Sequence, residues 1–137
     1  MKWLKKWWWI LPSVLLLALS WSCKDTITGD GSNIVFPDSN VSYGKQVEPL
    51  FLSSCAIPGC HTEADMDNAG GLSLETYQDA TSVPLIIIPK DTTNSQLVWS
   101  IEATHGRPRM PPIGRTQLTT NQINGLKRWI LEGAKNN

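Results

Sequence analysis

The chain reads as an all-α domain behind an export signal, and three observations predict it. Apolar residues recur at helical spacing near Val47 and again near Leu126, a capping sequence opens the second of these runs, and the one segment whose pattern reads as a strand, Leu85 to Ile88, is bracketed by prolines. At 137 residues the length suits one domain rather than two. Twelve basic side chains balance twelve acidic ones, so there is no general excess of positive charge for gripping nucleic acid.

The balance conceals two unlike parts. Lys2, Lys5 and Lys6 are the only charges in residues 1–22, and five of the seven tryptophans lie there as well. The lysines precede an apolar run from Trp7 to Leu19, then the small-residue stretch Ser20-Trp21-Ser22, which is the order of parts in a secretory signal. The run is shorter than the ~20 residues a spanning helix needs, and Pro12 interrupts it. Ser20 and Ser22 suit ordinary signal cleavage. Ser22-Cys23 instead resembles the end of a bacterial lipobox, and the odd cysteine of an exported chain favours that second route, with Cys23 lipidated. The expected organisation is a signal peptide over 1–22, a lipid-anchored flexible tether over 23–40, rich in Asp, Ser, Thr, Asn and Gly, and a folded domain over 41–137. The location implied is exported, periplasmic or associated with the outer membrane through the lipid. Beyond the signal nine basic residues face twelve acidic ones, a mild acidity that favours partners with basic patches.

Within the domain, the helices follow in order. Val47, Leu50 and Phe51 form one stripe of a short helix ending near Cys55, with Pro49 either in its first turn or kinking it. Ser73 to Tyr77 can begin another short helix after the Gly70-Gly71 turn. Asn94 or Ser95 can cap a helix carrying Leu97, Val98 and Ile101. Leu85 to Ile88 looks strand-like, but Pro84 and Pro89 bracket it, so it is read as an extended segment packing on the core. Thr119 and Gln122 form a capping box for the last helix, whose face is expected to be Ile123, Leu126, Ile130 and Ala134. Gly125 is expected at a close crossing with the first helix.

Chemistry concentrates in Cys55-Ala56-Ile57-Pro58-Gly59-Cys60-His61. Two thiols with a histidine beside the second are what covalent haem attachment requires, and the C-x4-C-H spacing is two residues longer than the usual motif. Pro58-Gly59 can loop out to accommodate the difference. Two other readings stand beside it. Cys55 and Cys60 can close a small disulfide in a haem-free exported binding or assembly domain. They can also join His61 and His105 at zinc, although only one ligand cluster is present. Downstream, His105-Gly106-Arg107-Pro108-Arg109-Met110-Pro111-Pro112 holds Met110 between prolines, a rigid mounting for a thioether opposite His61. His105 is the rival distal ligand and Met66 a weaker one. Arg107 and Arg109 are candidates to hold haem propionates.

The order Phe51, Cys55, Cys60-His61, Gly70-Gly71-Leu72-Ser73-Leu74, Ser95-Gln96-Leu97, Met110-Pro111-Pro112 and Trp129 to Ala134 resembles the planctomycete-type cytochrome c domain, itself similar to class I cytochrome c. The resemblance runs from about Val41 to Lys135. It implies a small class I cytochrome c-like fold of three to five short helices around one covalent haem c. By position, Cys55 and Cys60 would be thioether attachment points, His61 the proximal ligand and Met110 the distal ligand. The implied function is electron carriage rather than catalysis, with redox proteins of the envelope as partners.

Overall fold

A computed structural model describes residues 31–137. The signal, Cys23 and the first part of the tether lie outside the described residues. Those described form four α-helices, a π-helical turn and a 3-10 helix, with no strand among them beyond the isolated Ile88–Asp91 bridge. The all-α expectation therefore holds. No described helix is long and apolar enough to cross a membrane.

A π-helical turn at Tyr43–Val47 leads into α1, Glu48–Ser54. Pro49 sits in the first turn of α1, where its missing N–H would have had no intrahelical partner. Val47, Leu50 and Phe51 are fully buried, as their spacing predicts. The 3-10 helix, Glu63–Ala69, begins at Thr62 and stops at Gly70 in the left-handed region. Next come α2, Tyr77–Ser82, capped by Thr76, and α3, Gln96–Glu102. Ser95 precedes α3, yet its side chain does not cap it. Its hydroxyl instead donates to the Asp91 carbonyl at 2.6 Å and accepts from the Ile88 N–H at 2.9 Å. The first N–H groups of α3 are satisfied by the extended segment, Gln96 by the Leu85 carbonyl and Leu97 by that of Ile86.

The last helix, α4, Thr120–Leu131, has the expected capping box: the Gln122 N–H donates to Thr119 Oγ1 at 3.2 Å and the Thr119 N–H to Gln122 Oε1 at 2.9 Å. Its buried face is Gln122, Gly125, Leu126, Trp129 and Ile130, rotated from the expected one so that Ile123 is only half-buried. Trp129 anchors α4 to α1, its ring centroid 6.4 Å from Phe51 and 5.7 Å from Tyr43. Tyr77 of α2 completes the aromatic cluster 5.1 Å from Tyr43.

The cause of the rotation is Phe36. Read from the sequence as tether, it is 3% exposed and lies over Gly125, where an added Cβ would stand 2.1 Å from Phe36 Cγ. The close approach at Gly125 is thus made by the N-terminal segment and not by the first helix. Asn121 holds this segment through both amide atoms, accepting from the Phe36 N–H at 2.8 Å and donating to its carbonyl at 3.1 Å. Gln122 Nε2 donates to the Gly31 carbonyl at 2.8 Å. Residues 31–36 therefore pack as part of the domain, because Phe36 has a glycine notch to fill and two amides to pair its backbone.

Candidate functional site

Cys55 ends α1, its N–H donating to the Phe51 carbonyl at 2.9 Å. The chain then turns back. Cys60 N–H meets the Ile57 carbonyl at 2.9 Å and His61 N–H meets the Cys55 carbonyl at 3.1 Å, so the loop of two cysteines and one histidine is closed by its own backbone. Gly59, at φ +81°, supplies the conformation that the longer spacing demands, and its N–H donates to Asp65 Oδ2 at 2.8 Å. The same oxygen takes the Thr62 hydroxyl at 2.7 Å. Asp65 thereby fastens the loop to the start of the 3-10 helix. These two bonds hold its carboxyl below the usual carboxylate range, the Thr62 hydroxyl first and the Gly59 N–H second.

Both cysteines are free and partly exposed. Burial, and then the nearby Cys60 thiol, pushes the Cys55 thiol up to about 12. His61 is half-buried, and its Nδ1 lies 3.1 Å from the Leu72 carbonyl. A carbonyl only accepts, so Nδ1 is the donor in this bond, and in the neutral ring Nε2 then keeps its lone pair. The Leu74 N–H donates to the His61 carbonyl at 2.9 Å, so one short segment grips this residue by ring and backbone.

Met110 stands on a separate loop, half-buried, its N–H donating to the Ser100 carbonyl of α3 at 2.9 Å. The Met110–Pro111 peptide is cis. The rival His105 is exposed, with its ring stacked on Trp99 at 4.6 Å. Arg107 donates to Gln96 on α3, and Arg109 is exposed. Met66 lies on the 3-10 helix and is exposed. Among the described residues no three His, Cys, Asp or Glu side chains gather as a metal site, so Cys55, Cys60, His61 and His105 do not assemble for zinc. Two cavities, of about 330 and 210 Å³, lie along α4 and at the C-terminus, and neither is lined by Cys55, Cys60, His61 or Met110.

The donor set fits a covalently held haem: two free thiols on one closed loop, an imidazole whose Nε2 is left for a metal by the bond at Nδ1, and a thioether on a second anchored loop. Residues 58–114 match the family model described as Planctomycete cytochrome C. The match begins just after Cys55 and takes in Cys60, His61 and Met110. It agrees with the resemblance read from the motifs, and the strandless helical architecture is consistent with a small cytochrome c-like fold. The cytochrome c family implies covalently bound haem c. No curated protein and no solved structure matches the chain.

Three partners of these residues were not visible in the motif. The Leu72 carbonyl and the Gln96 amide meet their partners only through the fold. Asp65 had a local signal: Thr62-x-x-Asp65 is a helix-start pattern, and it marks the 3-10 helix that the apolar spacing did not.

Proposed function

We propose that the chain is a monohaem c-type cytochrome that carries single electrons in the cell envelope. Cys55 and Cys60 would hold the haem by thioethers, and His61 and Met110 would be its axial ligands. The observation that carries this reading is the Nδ1 bond from His61 to Leu72, which aims a lone pair from a loop that also bears two free thiols. The haem, when bound, supplies one-electron chemistry at its iron. The chain's own residues fix the ring of His61, mount Met110 on α3, and set the polarity around both.

A thioether opposite the imidazole would fill the remaining axial position, which suits a carrier better than an enzyme that must admit a substrate at the metal. Of the two arginines, Arg109 is the better placed to meet a propionate, since Arg107 already donates to Gln96. Export, with lipid on Cys23, would place the domain at a membrane surface where redox proteins of the envelope are its partners. The test of the ligand assignment is Met110→Ala in haem-loaded protein: the reduced spectrum changes and the midpoint potential falls. An unaltered spectrum and potential would mean that the sixth ligand lies elsewhere.

A further inference from the structure

The charges of the domain are segregated. Residues 41–102 carry eight acidic side chains and two basic ones, whereas no Asp or Glu lies between Glu102 and Glu132. That second stretch holds Arg107, Arg109, Arg115, Lys127 and Arg128. Lys127 is paired with Glu102 at 2.6 Å, which joins α4 to α3. The loop from Thr104 to Gln117 is thus positive alone, on a domain that is acidic elsewhere.

Within this loop stands Ile113, 92% exposed, the most exposed large apolar side chain among the described residues. The loop is held from within. Gln117 Nε2 lies 3.0 Å from the carbonyls of Pro111, Pro112 and Arg115, and the Met110 N–H fixes the middle of the loop to Ser100. An apolar side chain presented on a preorganised backbone loses little freedom when it is covered, and arginines around it add direction and rate.

We propose that the Thr104–Gln117 loop is the docking surface for a protein partner with an acidic patch surrounding an apolar socket, with Ile113 as the inserted residue and Arg115 among the guiding charges. This reverses, for this face, the partner charge expected from the acidic composition. A protein fits better than an anionic membrane, because surface attachment to lipid needs about four to eight clustered basic residues, and this loop offers three arginines, of which Arg107 is bonded to Gln96 and Arg109 is the candidate propionate partner, with one apolar anchor. The proposal deepens the electron-carrier reading, since Met110 lies within this loop, three residues from Ile113, but binding to it can be measured whether or not electrons pass.

The test uses the full chain labelled with nitrogen-15, titrated at low salt with a short synthetic peptide of repeated Glu-Leu-Glu-Glu, and separately with phosphatidylglycerol vesicles. The peptide is expected to shift the amides of the 105–117 loop. Ile113→Ser weakens its binding about tenfold and Arg115→Glu about fivefold, while the amide spectrum of each free variant shows that the fold is retained. The Arg115 effect shrinks as salt is raised. Absence of binding, equal binding by both variants, shifts centred on Lys127 and Arg128, or tighter binding of the vesicles through this same loop would each overturn the proposal. Failure to attach haem would overturn the carrier reading and leave these binding results interpretable.

Discussion

His61 Nδ1 lies 3.1 Å from the carbonyl oxygen of Leu72. The bond exists because Gly70 and Gly71, at φ +69° and +78°, turn the chain so that Leu72 and Leu74 enter the core beside the histidine. Gly71 is otherwise open, with nothing within 4 Å of an added Cβ, so a substitution there acts through backbone strain. Gly71→Val should lower stability by about 1–2 kcal/mol, measured by chemical denaturation. In haem-loaded protein it should also move the midpoint potential, since the ring of His61 loses its fixed partner. A stability unchanged from the parent would show that the turn does not need glycine.

The Phe36–Gly125 contact gives a prediction whose sign reverses with background. Gly125→Ala forces a methyl into the Phe36 ring and should destabilise by about 1–3 kcal/mol. Phe36→Ala should cost about 3 kcal/mol or more through the cavity it leaves. In the Phe36→Ala background, Gly125→Ala should become neutral, or stabilising by up to about 1 kcal/mol, because only the helix preference for alanine remains. Additive effects in that double-mutant cycle would mean that Phe36 does not occupy the notch in solution.

Asp65 links the attachment loop to pH. Its carboxyl is held below the ordinary value of about 3.9, so its contribution to stability is present above that value and is lost as pH falls through the lower, folded one. A carboxyl-carbon titration should place Asp65 below the other exposed aspartates whose carboxylates have no such bonds. Asp65→Ala should reduce the acid dependence of unfolding in this window and speed exchange of the Gly59 amide. Unchanged Gly59 exchange would break the proposed link.

The Cys55 thiol, pushed up to about 12, leaves about one thiolate in ten thousand at pH 8. In the haem-free chain, iodoacetamide should therefore label Cys55 about a hundredfold more slowly in the folded state than in urea. Equal rates would indicate that the end of α1 is open.

Much of this architecture is written locally. The Thr119–Gln122 box, the Val47-Leu50-Phe51 stripe, Pro49 in a first turn and the Cys60-His61 pair each depend on residues within a few positions of one another, and the structure has the predicted helices where those signals fall. What escaped is long-range. Phe36 finds Asn121 across 85 residues, and its burial rotates α4 by filling a notch that the helical spacing alone assigns to another helix. Ser95 looked like a cap, but the bend from Ile88 to Asp91 claims its hydroxyl, and the Leu85 and Ile86 carbonyls cap α3 instead. In the site, residue types and order were legible because the chemistry needs them. The carbonyl that orients His61 was not, because any residue can supply a carbonyl.

The most direct test is the intact mass of the full chain under denaturing, non-reducing conditions after expression with a competent haem-attachment system. The account predicts the mass of the processed chain plus one haem, and a smaller haem-loaded fraction once Cys55 or Cys60 is replaced by Ala. A chain that carries no haem and is two hydrogens lighter than its reduced form, through a Cys55–Cys60 disulfide, would contradict it.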